Sequence, residues 1–268
     1  MLVPFENDYI PRGNNLITNF GRFAVKYCRD VGRCCKLIVI TFQYLPQFYR
    51  SRQEIVRQLY ICGLKTFPVT SIVALFTGMI LALQAGLILQ NYGQEMMVGY
   101  LVSQTMFREM GPFMTALILA ASVGSAMAAE LGSMTVSQEI AALETMSIDP
   151  LRYLVMPRMV AMMIMCPVLT SYTNMIGIFG GGLVASTQLD VGWNVYYEHV
   201  RMMLQEKELY VGIFKAWVFS ILIVSISCIQ GLSARNGAVG VGYAAKSAVV
   251  TCFLLILIVG YIITRIFY

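Results

Sequence analysis

The chain has 268 residues, of which 58% are hydrophobic and 12% charged, and its formal net charge is +5. Soluble domains carry about 25% charged residues, so this composition excludes a disordered segment, a collagen-like fibre and a water-soluble globule. Long charge-free runs of Leu, Ile, Val and Met, with no alternating ten-residue segments of the β-barrel kind, mark an all-α integral membrane protein.

Residues 1–13 read as irregular. From Leu16 an amphipathic helix is expected, with Leu16, Phe20, Phe23, Tyr27, Val31, Cys34 and Ile38 on one stripe and Arg22, Lys26, Arg29, Arg33 and Lys36 on another. One apolar and one basic stripe describe a helix lying in the membrane interface, or packed on the protein's own spans. A polar connector from Arg50 to Lys65 follows, so residues 1–65 are expected to form a cytoplasmic N-terminus and 66–268 a five-span membrane domain. Ten of the 19 Lys and Arg residues precede the first long apolar run. The positive-inside rule therefore keeps the N-terminus cytoplasmic. No nucleic-acid motif accompanies these bases, and no nucleic-acid partner is expected.

The first span is predicted over roughly Phe67–Gln90, with Gln84 and Gln90 toward its far end. Asn91–Gly99 has no Lys or Arg and suits the outside. The second helix runs from about Tyr100 to Ala129 and contains Arg108 and Glu109. Its Ala116, Ala120, Gly124, Ala128 and Gly132 recur every four residues, with Ala121, Ser125 and Ala129 beside them, a strip that lets another helix approach closely. The insert Glu130–Asp149 carries Glu130, Glu139, Glu144 and Asp149. Thr135 and Gln138 have capping-box spacing, Val136, Ile140 and Leu143 line one face of a short helix, and Asp149-Pro150 reads as N-cap and first helical residue. Such a cytoplasmic helix suits a docking lever for a soluble partner, or else an interfacial loop.

The third span is expected from after Arg158 to about Thr187, kinked or delimited by Pro157 and Pro167, with Gly177, Gly181 and Ala185 as a second small-residue seam. Residues 188–209 read as an outside polar segment. The fourth span covers about Tyr210–Leu232, with Lys215 snorkelling at its outer end. Ser233–Lys246 is inside, and the fifth span, about Ala248–Ile263, leaves the C-terminus outside.

The seven cysteines form no C-x-x-C pair and read as small hydrophobes, and one histidine is too few for a multi-histidine metal centre. There is no phosphate-binding G-x-x-x-x-G-K-[ST] loop, no H-E-x-x-H and no G-x-S-x-G. The chain is expected to be non-catalytic and to need no cofactor. Arg108 and Glu109, charged at membrane depth, are the candidates for a functional role or a structural salt bridge.

The stretch FREMGPFMTALILAASVGSAMAAELGSMTVSQEIAALETMSIDPLRYLVMPRMVA, from Phe107 to Ala161, resembles the signature of the MlaE (YrbE-type) permeases, the membrane subunits of MCE-associated lipid ABC transporters. LFTGMILALQ (Leu75–Gln84) and GAVGVGYAAKSAVV (Gly237–Val250) are similar to that family's first span and last cytoplasmic turn. The resemblance implies a homodimer in the cell inner membrane, with separate ABC ATPase subunits docked on a coupling helix at about 131–148. It implies an MCE protein ring outside and a phospholipid substrate. Carried over, the ATPase-coupling residues are Glu130, Leu131, Gly132, Met134, Glu139, Leu143, Asp149 and Pro150, and the lipid-binding residues are Arg108, Glu109 and Gln84. The chain departs from the family's usual pattern at Ser122, often Arg, at Gly260, often acidic, and at Ala245-Lys246, usually Thr-Thr. Against this stand a stand-alone carrier, which calls for inverted repeats or broken helices, and a scaffold recruiting soluble partners through the acidic insert.

Overall fold

The computed structural model describes residues 52–203 and 206–268, with the single positions Gly32, Leu37 and Val39. The amphipathic helix expected from Leu16 to Ile38 lies outside the described residues except at Gly32 and Leu37, both helical; Leu37 is buried in the main core.

The described elements are all helical. They are α1 (Arg52–Cys62), α2 (Phe67–Gln90), α3 (Glu95–Val136), α4 (Glu139–Thr145), α5 (Leu151–Gln188), α6 (Trp193–Met203), α7 (Glu206–Leu232) and α8 (Gly237–Phe267). Five of the resulting rods are long and apolar enough to cross a membrane: α1 running on into α2, then α3, α5, α7 and α8. Helices are the open-ended element that satisfies its own backbone in hydrocarbon.

Several boundaries differ from the sequence reading: α3 covers Glu95–Val136 rather than about Tyr100–Ala129, and α5 starts at Leu151 rather than after Arg158. The connector Arg50–Lys65 contains α1, whose Ile55, Gln58 and Cys62 are buried. The polar segment 188–209 contains α6, anchored by buried Tyr196, whose hydroxyl donates to the carbonyl of Ile178 at 2.9 Å. The fifth helix starts at Gly237 rather than Ala248. Pro167 leaves α5 continuous.

Two seams of small residues hold the bundle together. On α2, Thr70, Ala74, Gly78, Ala82 and Gly86 are buried at a spacing of four. They meet α5 at its own glycines: a Cβ on Gly78 would stand 1.8 Å from the carbonyl oxygen of Gly177, and one on Gly180 would stand 2.5 Å from that of Leu75. On α3, Ala116, Ala120, Gly124, Ala128 and Gly132 are all buried, as their spacing predicts. Their partners are α7 and α8, and a Cβ on Gly231 of α7 would come within 2.8 Å of the Ala128 carbonyl. α5 and α7 fill the centre. α2 and α8 are the least buried rods and turn broad apolar faces outward.

α3 is the most irregular rod, although α5 also opens on a π-helical turn, at Leu151–Val155. α3 widens into π-helical turns at Met106–Met110 and Ala120–Gly124. At the first, the Gly111 N–H reaches back five residues to the carbonyl of Met106, and Pro112 has no N–H to offer. At the second, Ser122 donates to the Ile118 carbonyl at 2.6 Å and Ser125 to that of Ala121, side-chain bonds that compete with the helical ladder.

Replacing Gly78 with Ala forces the α2 and α5 backbones apart. We expect it to cost about 1–3 kcal/mol, read as a lower melting temperature in detergent. Gly242→Ala on α8, where no atom lies within 4 Å of the new methyl, is expected to be neutral or to stabilise by about 0.5–1 kcal/mol. Equal effects of the two variants would refute the seam as a backbone contact.

Candidate functional site

At one end of the bundle, α3, α7 and α8 bring charges together. Glu208 and Lys215 lie seven residues apart on α7 and so share a face. They meet Arg108 and Glu109 of the first π-helical turn. Arg108 holds Glu208 with a two-pronged bond, Nε donating to Oε2 at 2.8 Å and Nη2 to Oε1 at 2.7 Å. Bidentate guanidinium–carboxylate pairs are the strongest and most directional of their kind. The Tyr268 ring lies 3.8 Å under the guanidinium, and its hydroxyl donates to Glu208. Burial and the Glu208 carboxylate push the Tyr268 phenol up to about 12, so it stays a donor at neutral pH.

Lys215 completes the cluster. Its ammonium gives its three protons to the Arg108 carbonyl at 2.7 Å, Glu109 Oε1 at 2.7 Å and Thr264 Oγ1 at 2.8 Å. The first acceptor is open because Pro112, four residues on, cannot donate to it. Thr264 passes its own proton to Glu109 at 2.6 Å. Lys215 does not snorkel: its side chain is 1% exposed, because three acceptors inside the bundle replace the water it would have reached. Arg108 and Glu109 therefore belong to one network but pair with different partners, while Gln84 stands exposed on α2.

The α3–α5 turn lies at the opposite end. Its residues separate by exposure. Leu131, Gly132 and Pro150 are buried, Met134 and Leu143 pack half-buried on the core, and Glu139 is exposed on α4 beside exposed Glu144 and Met146. Asp149 caps α5 as its sequence predicts, accepting the Leu151 N–H at 3.0 Å. The Thr135–Gln138 capping box does not form. Thr135 is still inside α3 and donates to the Leu131 carbonyl, and Gln138 turns with φ of 61°. Glu130 pairs with Arg158 of α5 at 2.9 Å.

Sequence reasoning found Arg108, Glu109, Lys215 and Glu130 but not their partners. Glu208 hid in a polar run, Thr264 and Tyr268 follow the predicted fifth span, and Arg158 stood just before the predicted third span. Only the seven-residue interval from Glu208 to Lys215 carried a usable signal.

Comparison with known proteins bears on both ends. The family model described as permease MlaE matches residues 55–266. The chain is 36% identical to a probable ABC transporter permease protein of Rickettsia prowazekii, over 92% of this chain and 96% of that one. It is 32% identical to a probable ABC transporter permease protein of Synechocystis, over 83% and 85%. It is 31% identical to the intermembrane phospholipid transport system permease protein MlaE of Haemophilus influenzae, over 95% and 98%.

The Glu109–Lys215 pair is unequal, since Glu109 is 42% exposed and Lys215 is buried. Glu109→Ala strands a buried ammonium and is expected to cost about 3–5 kcal/mol. Lys215→Met strands only a half-exposed carboxylate and is expected to cost clearly less. Thermal melting of both variants in detergent checks the order; the reverse order would mean the ammonium reaches water.

Proposed function

This chain belongs to the MlaE permease family, and on that premise we propose that it is the membrane subunit of an ABC transporter that moves phospholipids. Separate ATPase subunits drive it, and an MCE protein ring receives or delivers the lipid outside. Two copies of the chain form the transmembrane core. The observation that carries this reading is the likeness to the Haemophilus intermembrane phospholipid transport permease along nearly its whole length.

The basic N-terminal segment favours an orientation with the α3–α5 turn in the cytoplasm and the charged cluster at the outer face of the inner membrane. α4 is then the ATPase contact. Its two acids are exposed, and its apolar side, Ile140 and Leu143, rests on the core, so a push on α4 is delivered to the bundle. Glu130, Leu131, Gly132, Met134, Asp149 and Pro150 hold that contact in place from behind, and Glu139 faces the partner.

At the other end, Arg108 remains 31% exposed beside Glu208. A planar guanidinium of that kind can donate to a lipid phosphate. Glu109 sets the Arg108 backbone through Lys215, and Gln84 offers a polar contact on α2. ATP-driven closure would move α4, and the small-residue seams would let α3 and α5 slide against their neighbours.

Affinity purification in mild detergent followed by native mass spectrometry tests the assembly. Two copies of this chain with two ATPase subunits and an MCE ring are expected. A lone chain, under conditions that preserve other ABC complexes, overturns it. Glu139→Lys is expected to abolish ATPase association while leaving the melting temperature of the permease unchanged. For the lipid site, the charge-neutral double variant Arg108→Ala with Glu208→Ala is expected to lower co-purified phospholipid roughly tenfold, the worth of one charge-assisted hydrogen bond. Unchanged lipid content would make this cluster purely structural.

A further inference from the structure

The ion pair between Arg158 and Glu130 ties α3 to α5 where both leave the bundle to form the turn that carries α4. Its members are unequally placed. The Arg158 side chain is 3% exposed and that of Glu130 is 54% exposed. The closest approach is from Nη2 to Oε2 at 2.9 Å. The other terminal nitrogen of the fork, Nη1, is buried and has no hydrogen-bond partner among the described residues. The same cation lies within electrostatic reach of Cys62, the last residue of α1, and of Cys228 on α7. One guanidinium thus stands where α1, α3, α5 and α7 come together.

Two physical consequences follow. A buried cation is costly without its counter-ion, so the packed Arg158 holds on to Glu130, whereas Glu130 loses little by swinging into water. The fork also has a spare donor. A small shift of the α3 end that brings the second carboxylate oxygen under Nη1 would replace one bond by two, the geometry guanidinium and carboxylate prefer. The contact can therefore take a second, two-pronged arrangement if the α3 end moves.

We propose that Arg158 is a positioning residue for coupling: through Glu130 it fixes the end of α3 and the α4 turn behind it, and transmits a displacement of α4 into α5 and α7. This rests on the reading of α4 as the ATPase contact.

The test uses the whole complex, reconstituted in phospholipid vesicles containing a fluorescent phosphatidylethanolamine, with ATPase stoichiometry, ATP hydrolysis and lipid moved per ATP all measured. Two variants are compared with the parent. Glu130→Gln removes the counter-charge. The double variant Arg158→Met with Glu130→Met removes both charges and so avoids leaving a buried cation unpaired. In both, assembly and hydrolysis are expected to persist, and lipid moved per ATP to fall about tenfold, a typical coupling between linked sites. An unchanged lipid-to-ATP ratio in the double variant overturns the proposal. So does loss of ATPase binding by Glu130→Gln at an unchanged melting temperature, because Glu130 would then be a docking residue. Glu139→Lys run in parallel separates the two levels. If it leaves the ATPase bound, the α4 reading falls and this proposal with it. If it releases the ATPase while Glu130→Gln keeps the parental ratio, only the role of Arg158 is overturned.

Discussion

A lysine ammonium buried inside a helical bundle needs acceptors for its three N–H groups, and the end of this molecule opposite the α3–α5 turn is organised around that demand. Lys215 finds its acceptors on α3 and α8: the Arg108 carbonyl, Glu109 and Thr264. One of the three exists because the helix is damaged. Pro112 withholds the N–H that would have closed the ladder onto Arg108, and the π-helical turn before it shifts the register. In hydrocarbon a freed carbonyl is expensive unless another donor reaches it. The break in α3 and the buried cation on α7 each remove the other's cost. With α3 and α7 locked at this point, Arg108 is carried to Glu208, and the C-terminus of α8 is drawn in through Tyr268.

The rest of the bundle is held by shape. Lipid tails are as apolar as leucine, so apolar faces gain little by leaving lipid for each other, and helices associate where their backbones fit closely. Gly78 against Gly177 and Gly231 against Ala128 are such fits. These contacts are strong in register but carry no directional bonds, so they tolerate sliding better than a hydrogen-bonded interface does. Directional bonds tie α3 at its two ends, in the Lys215 cluster and in the Glu130–Arg158 pair, and once between them, where buried Thr115 donates to Thr173 of α5 at 3.0 Å.

The five spans were legible because length and hydropathy are local properties, and the α3 seam was legible because a spacing of four places residues on one face. The Asp149 cap was legible for the same reason. What could not be read was pairing at long range. Arg108 and Glu208 are a hundred residues apart, and nothing near either names the other. Lys215 was misread because snorkelling is the ordinary solution for a lysine near a helix end, and only the fold supplies three interior acceptors instead. α6 was missed because its apolar residues are spaced among polar ones, and the burial of Tyr196 and Val200 depends on the start of α3 and the end of α5 lying beside them. The capping box failed because α3 runs on past Thr135, held by contacts with α7 that no local motif records.

The two charged ends share an asymmetry that bears on how motion could cross the membrane. Lys215 and Arg158 are both almost wholly buried cations, and their acids, Glu109 and Glu130, are both about half exposed. In each pair the cation belongs to the packed centre, on α7 or α5, and the acid belongs to α3, which carries two π-helical turns along its length. The centre therefore presents fixed positive points, and α3 is the element that is gripped at both. A displacement of the α3–α5 turn would shift Glu130 on Arg158 and pass along α3 through its irregular turns at Ala120–Gly124 and Met106–Met110, the second of which carries Arg108 and Glu109. On the proposed reading, that is the route by which a push on α4 would reach the residues facing the lipid.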